Sequence, residues 1–438
     1  MKIIHTADLH LGQILYQNYD RVDEHEHFFS QLSEWCKSEK PDALVVSGDI
    51  YDIQQPSANT RKFFTDHFVR LHMENPSMKI VITAGNHDSA SRIQADSAVW
   101  EFANAKLVGL SPSVDLNCAE VGWQDDYIVS LDCGFIIALP YMSSDRKEHI
   151  QSILDRVASL NTDGKPVVMM AHSAVTGLDP EGHEVGNLKL QEVDQMGTGY
   201  DYLALGHIHK PQTIGHAEDM FRTDVTYPSG AIRYSGSALH VSCDEKYPHS
   251  VSVVEINRHG GDVHIRQLVI DELRHFTELP QDGSSFRTSD EAIAAVTRFC
   301  EQNKNGYIRL RIDQEADLPA NFCQMIYDEL AKTADEVRFN PKHIWTGTIS
   351  SEGQNQETQE FEVAELQQMT DPVIFIEKTA DQYPDLDMDE IREAFIIVRE
   401  EMERMKEEKR NSEQVRADRK KARQQDSALT TVINGPEN

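Results

Sequence analysis

Short, unbroken apolar runs punctuate the first half of the chain. KIIHTAD, DALVVSGD, KIVITAGN, FIIALPYM, PVVMMAHS and YLALGHIH lack the two-residue alternation of a half-exposed strand, so they predict strands buried on both faces. Segments with helical spacing, His25–Cys36 and Asn59–His72, separate the first three. Strand and helix therefore alternate, as in an α/β domain. From about Asp224 to Val269, the runs YPSGAIRYSGSALHVS, HSVSVVEI and DVHIRQLVI predict further strands, more exposed than the first set.

The pattern changes near residue 276. Thr288 and Glu291 form a capping box ahead of AIAAVTRFCEQ, and Asn305-Gly306 stops that helix. YIRLRI reads as a strand, about Pro319–Lys332 as a helix and about His343–Ile349 as a strand. Together they predict a small α+β module. Residues 350–370 are polar and glutamine-rich, the composition of a linker. DPVIFIEK predicts a short strand or docking segment. A long helix begins near Asp387, where Ile391, Ala394, Phe395, Val398, Met402 and Met405 recur at spacings of three and four and form one apolar stripe. That stripe suits a second protein or this chain's own module, and the polar linker before it favours the second protein. From Lys406 onward the chain is highly charged and includes RKKAR at 419–423, so the tail is expected to fray. The predicted organisation is 1–275, 276–350, a linker at 351–385 and a helical region with a charged tail at 386–438.

A length of 438 residues exceeds one hydrophobic core and agrees with several domains. There is no run of about 18 apolar residues, which excludes a transmembrane helix. The N-terminus, MKIIHTADLHLG, lacks the apolar core of a signal peptide. Six scattered cysteines with no CxxC pair argue against a zinc ribbon or a disulfide framework and suit a reducing cytoplasm. The net charge of −31 argues against binding nucleic acid through bulk electrostatics. A polyanionic substrate would have to be held locally, by metal ions, a small basic patch or a partner protein.

The ends of the apolar runs carry the chemistry. They deliver Asp8-Leu9-His10, Gly48-Asp49, Gly85-Asn86-His87-Asp88, Ala171-His172 and Gly206-His207-Ile208-His209. In open α/β sheets ligands bind at the carboxyl ends of strands. Oxygen and imidazole donors without a thiolate favour manganese, iron, zinc or magnesium. Asp8, His10, Asp49, Asn86, His172, His207 and His209 are too many ligands for one ion but suit two ions that share a carboxylate. Such ions, about 3.5–4 Å apart, clamp the attacking and leaving oxygens of a phosphoryl displacement. His207 and His209 share a face of an extended backbone, and Gly206 would allow a tight turn before them.

The ordered blocks DLH…GD…GNHD…H…GHIH resemble the calcineurin-like metallophosphoesterase superfamily over about residues 1–240. HTADLHLGQ, SGDIYDIQQPS, YDYLALGHIHK and YSGSALHVSCDE further resemble the SbcD-type nuclease subunits of bacterial SbcCD complexes. This closer resemblance continues less specifically through the second module and the C-terminal helix. It implies an α/β metallophosphoesterase β-sandwich flanked by helices, with a small α+β capping domain and a C-terminal partner-binding helical segment. By position, Asp8, His10, Asp49 and His209 would hold one ion, and Asp49, Asn86, His172 and His207 the other. Asp49 bridges them, and the ions are usually manganese. His87 matches the histidine that protonates the departing 3′-oxygen or stabilises the transition state, a role suited to an imidazole. Asp88 either orients His87 or a ligand histidine, or caps its loop. Asp52 stands where archaeal and eukaryotic relatives carry a histidine, so it is given no phosphate-binding role. His5 is expected to support the fold, and His25 and His27 to lie on a solvated helix face. Tyr234-Ser235-Gly236-Ser237 suits either the substrate's surroundings or a strand and turn.

The implied function is a two-metal DNA nuclease, a 3′–5′ exonuclease on duplex ends and an endonuclease at hairpins and single strands, working in DNA repair and recombination. Its implied partner is the coiled-coil base of an SbcC-type ATPase, docked on Ile391, Phe395, Val398 and Met402. A homodimer within a heterotetramer, a cytoplasmic location and no membrane association complete the expectation. A phosphomonoesterase or cyclic-nucleotide phosphodiesterase on the same scaffold is the alternative, though it would need neither the second module nor the partner helix. A non-catalytic adaptor with a structural metal site is disfavoured by the complete ligand set together with His87.

Overall fold

The computed structural model describes residues 1–346 apart from 17, 113–121, 143–145, 180–189, 217–218, 220–221 and 334–335. The predicted linker at 351–385 and the helical region at 386–438, with Ile391, Phe395, Val398 and Met402, lie outside the described residues. The chain enters through β1 (Lys2–Thr6) and a short ribbon of β2 (Ile14–Leu15) and β3 (Tyr19–Asp20). Next come α1 (Val22–Glu39), β4 (Ala43–Ser47), α2 (Ala58–Glu74), β5 (Lys79–Thr83), α3 (Ala90–Trp100) and β6 (Ala105–Val108). The following stretch holds β7 (Ile128–Leu131), β8 (Gly134–Ala138), α4 (Lys147–Leu160), β9 (Val167–His172) and β10 (Tyr202–Gly206). It closes with β11 (Gln212–Thr213), β12 (Asp224–Tyr227), β13 (Ala231–Tyr234), β14 (Ser250–Ile256) and β15 (Val263–Val269).

These strands form two sheets. One runs β12-β15-β14-β1-β4-β5-β6 and the other β11-β13-β10-β9-β8-β7. The centre of each is parallel: β1, β4, β5 and β6 in the first, β8, β9, β10 and β13 in the second. Side-chain alternation divides the core. Ile3, Ala43, Val45 and Val81 pack with Ile136, Val168 and Leu203 of the other sheet. Their neighbours Ile4, Leu44, Val46, Ile80 and Ile82 pack on Phe28, Phe29, Phe64 and Phe68 of α1 and α2. Both faces of the first sheet are therefore apolar, which is why its strands read as continuous runs. Ser47 Oγ donates to the Ala204 carbonyl at 3.0 Å, tying β4 to β10 where the carboxyl ends of the two sheets meet.

Of the strands after Asp224, β12 and β15 are more exposed than the central strands, as expected, and β14 is an exception. β14 is almost wholly buried, because it inserts between β1 and β15 rather than forming an edge. The second module holds β16 (Phe276–Leu279), β17 (Phe286–Thr288), α5 (Ser289–Gln302), β18 (Asn305–Asp317), α6 (Phe322–Thr333) and β19 (Glu336–Thr346). Its sheet is parallel, with the long β18 pairing with the other three strands. The Thr288/Glu291 capping box forms as expected. The pattern gave no sign of β16 and β17, which are only four and three residues long. β19 also starts seven residues before the expected His343, at Glu336. Its early part mixes buried Val337 and Phe339 with the polar Arg338 and Asn340. Met1–Thr348 form one compact unit. Among the described residues no helix is long and apolar enough to cross a membrane.

Candidate metal centre

Five loops at the carboxyl ends of β1, β4, β5, β9 and β10 converge. Backbone hydrogen bonds stitch the first two: Asp8 N–H to the Gly48 carbonyl (3.1 Å), His10 N–H to Asp49 (3.1 Å) and Leu11 N–H to Ile50 (2.9 Å). Asp8, His10, Asp49 and His207 all have left-handed backbone, with φ of 51°, 44°, 47° and 92°. That conformation is uncommon for residues with a Cβ, and a scaffold that imposes it at four neighbouring positions is characteristic of functional loops. The glycines between them meet a different need. A Cβ on Gly48 would sit 2.2 Å from His172 Nδ1, and one on Gly206 1.9 Å from the Ser47 carbonyl oxygen. Gly206 thus permits close approach of two strand ends rather than the expected tight turn.

One half of the site gathers Asn86, His172 and His207 beside Asp49. His172 Nδ1–H donates to the Ser47 carbonyl at 2.8 Å. Nε2 of the neutral ring is then an acceptor, 3.0 Å from Asn86 Oδ1 and 3.3 Å from Asp49 Oδ2. His207 Nδ1 lies 2.9 Å from the same Asn86 oxygen, and its backbone N–H donates to both Asp8 carboxylate oxygens at 3.0 and 3.1 Å. Converging acceptors of this kind need a proton or a cation among them.

The other half gathers Asp8, His10 and His209. His10 is buried and neither ring nitrogen makes a well-aligned hydrogen bond. Its Nε2 is 3.9 Å from Asp49 Oδ2 and its ring centroid 5.2 Å from that of His209. Donor atoms of Asp8, His10 and His209, and those of Asp49, His172 and His207, each lie within 4.8 Å of one another. The donors present fit two hard divalent cations around Asp49.

The charges are mutually dependent. Burial, then the Asp49 charge, push the Asp8 carboxyl up to about 7 against the pull of His172 and His10. Burial also opposes ionisation of Asp49, but His172 and His10 hold it well below the usual carboxylate range. Burial disfavours the His172 cation, yet Asp49 brings that imidazole up to about 9. Protons thus stand where a cation would be exchanged for them.

His87 is exposed at the mouth. Its backbone N–H donates to Asp49 Oδ1 at 2.9 Å and its Nδ1 pairs with the Asp52 carbonyl at 2.7 Å. Its ring is 4.9 Å from that of His10, close enough for His10, Asp49 and His87 to form a further three-donor group. Asp88 accepts backbone N–H groups from Gly85 (2.8 Å), Ile50 (3.1 Å) and Tyr51 (3.0 Å), clamping the second loop to the third. Of the two roles expected for it, the geometry displays loop capping. Burial pushes its carboxyl up to about 6.

Two neighbours carried no expected role. Asp52 reaches His10 Nδ1 with Oδ1 at 3.4 Å while its carbonyl holds His87. Glu245 pairs with His209 Nδ1 at 3.0 Å. It is the last residue of the stretch YSGSALHVSCDE, so the signal was present but had no geometric meaning in one dimension. His25 corrects an expectation. It lies on the buried stripe of α1 with Phe28, Phe29, Leu32 and Cys36, and its Nε2 pairs with the Leu9 carbonyl at 2.8 Å behind the first loop. His5 is buried in the fold against the Tyr202 hydroxyl at 2.9 Å. Tyr234 packs behind the site, donating to the Ser173 carbonyl at 2.8 Å.

Residues 1–211 match the calcineurin-like phosphoesterase family. The chain is 26% identical over 349 residues to the SbcD component of the SbcCD nuclease of Rhodobacter capsulatus, covering 72% of this chain and 81% of that protein. It is 27% identical to the Escherichia coli K12 SbcD component and 28% identical to that of Bacillus subtilis, each across 58% of this chain. The chain spans 65% and 66% of those two relatives' lengths. Over residues 1–211 the chain is thus similar to the calcineurin-like phosphoesterases, and the curated relatives it matches are the SbcD components of SbcCD nucleases.

Proposed function

We propose that this chain is the nuclease subunit of an SbcCD-type complex, a metal-dependent hydrolase of DNA phosphodiesters. The observation that carries this reading is the convergence, around Asp49, of oxygen and nitrogen acceptors from five loops with too few protons to satisfy them. Asp8, His10, Asp49 and His209 would hold one divalent cation, most simply Mn²⁺, and Asp49, Asn86, His172 and His207 the other. Ions there would supply Lewis-acid stabilisation of the phosphoryl oxygens and a water acidic enough to act near neutrality. The protein's own part is to fix donors and protons. Ser47 sets the tautomer of His172 through its carbonyl. The Asp52 carbonyl accepts Nδ1–H of His87, so the imidazolium form presents an Nε2–H whose proton passes to the departing 3′-oxygen and leaves the neutral Nδ1–H ring. Asp88 keeps the loops of Asp49 and Asn86 at a constant separation.

Further parts of the reading follow the relatives. Residues 1–275 form the nuclease domain and 276–350 the capping domain, followed by the linker and the helix with Ile391, Phe395, Val398 and Met402. That helix docks on an SbcC-type ATPase, which supplies DNA-binding surface that a chain of net charge −31 lacks. DNA ends and hairpins are the substrates. A homodimer is supported by exposed apolar side chains on two neighbouring helices: Val69 and Met73 on α2, and Val99 and Phe102 on and just after α3, with Phe102 93% exposed. Cys36, Cys133, Cys243 and Cys323 form no disulfide, which suits the cytoplasm.

The test is digestion of labelled linear duplex with Mn²⁺, with and without an SbcC-type partner. Cleavage that requires the metal is the expected result. Hydrolysis of a small aryl phosphomonoester with DNA left intact would transfer the assignment to a phosphomonoesterase.

A further inference from the structure

The turn at Cys243–Lys246 sits between the metal centre and the second module. Inward, Glu245 is 2% exposed and divides its two oxygens. Oε1 meets His209 Nδ1 at 3.0 Å, while Oε2 accepts the Val241 N–H at 3.0 Å and lies 3.4 Å from His249 Nε2. A carboxylate against Nδ1 keeps the proton on that nitrogen, so the lone pair of a neutral ring is on Nε2, where a cation would bind. Outward, the second module grips the same turn at three points. Arg309 Nη1 donates to Asp244 Oδ1 at 2.6 Å and to Cys243 Sγ at 3.4 Å. Asn340 Nδ2 donates to Cys243 Sγ at 3.0 Å, and Lys246 pairs with Glu278 at 3.1 Å. Arg309 lies on β18, Asn340 on β19 and Glu278 on β16, so one sheet supplies all three grips.

We propose that Glu245 is a positioning residue for the metal centre, and that the second module holds it in register through the Cys243–Lys246 turn. The module then governs cation affinity at the His10 half of the site without supplying a ligand. This inference rests on the two-ion reading above.

The test counts Mn²⁺ bound to the full-length chain by electron paramagnetic resonance of the free ion, with no substrate present. Wild type is expected to bind two ions. Glu245→Ala should weaken one of them at least ~10-fold, the range for loss of a carboxylate behind a ligand histidine. Glu245→Gln keeps an oxygen for Nδ1–H and should recover most of that affinity, whereas Glu245→Leu fills space without an oxygen and should not. Arg309→Ala touches neither Glu245 nor any ligand and should weaken the same ion about threefold or more. It also carries the test if Glu245→Ala does not fold. Two ions bound by wild type and by folded Glu245→Ala with equal affinity would overturn the inference and leave the two-ion reading standing. Unchanged affinity in Arg309→Ala would remove the module's part. Fewer than two ions in wild type would overturn the reading, and this inference with it.

Discussion

The two halves of the metal centre share Asp49 but are built differently. In the His172 half, the Ser47 carbonyl fixes the His172 ring and Asn86 Oδ1 sits between His172 and His207. In the His10 half, the His207 backbone holds Asp8, the buried His10 ring has only loose ion-pair contacts with Asp52 (3.4 Å) and Asp49 (3.9 Å), and His209 takes its support from Glu245, on a turn gripped by another module. The first half is preorganised by its own sheets. The second is held less firmly without a cation, because the His10 contacts are long and poorly aligned and such contacts contribute little. The contrast suggests that one ion binds tightly and the other under control from elsewhere in the protein.

The largest effect should come from Asp49→Asn, since it joins both halves. Mn²⁺ stoichiometry should fall below two, and phosphodiester hydrolysis should drop by more than the ~10²–10⁴ of a lost proton donor, measured by titration and by duplex digestion. His87→Ala tests whether the mouth is separable from both halves. It should keep two ions and lose about 10²–10⁴ in rate, so a near-normal rate would remove the proton-donor role. Stability of the metal-free chain should distinguish the halves directly. His172→Ala removes a buried hydrogen bond and should cost about 1–3 kcal/mol, whereas His10→Ala removes only loose contacts with Asp52 and Asp49 and should cost less. Urea unfolding of both variants in chelator measures this, and equal losses would erase the contrast.

The smallest effect is in pH dependence, through groups behind each half. Burial lowers His25, behind the His10 loop, to about 4, and His5, behind the His207 strand, to about 3. In the unfolded chain both titrate near 6.5. Below that pH the unfolded state binds protons that the folded state refuses, so stability falls as pH falls from about 6.5 toward 4. The expected slope is about 1.4 kcal/mol per pH unit for each histidine. Above about 6.5 both states are neutral and this contribution is flat. His25→Gln should remove one histidine's share of the slope in urea titrations between pH 7 and 5.

Where a residue's role depended on local pattern, the sequence was a good guide. The central strands form where apolar runs predicted them, because both faces of each sheet are covered and no alternation was needed. The Thr288/Glu291 cap is equally local. Roles that depend on approach across the fold were invisible. Gly206 has the look of a turn residue in one dimension, yet the Ser47 carbonyl stands against it. His25 looked solvated because glutamates flank it, although its spacing to Phe28, Phe29 and Leu32 puts it on the buried face of α1.

The order of the strand-end blocks and their donor chemistry can be read from the residues alone, since strand direction and ligand type are properties of short segments. The packing of two sheets decided which donor meets which. It set Ser47 against His172, Asp52 beside both His10 and His87, and Glu245 behind His209. These contacts join residues from 35 to 125 positions apart. No local periodicity encodes such separations; they exist only once apolar burial has brought the strand ends together.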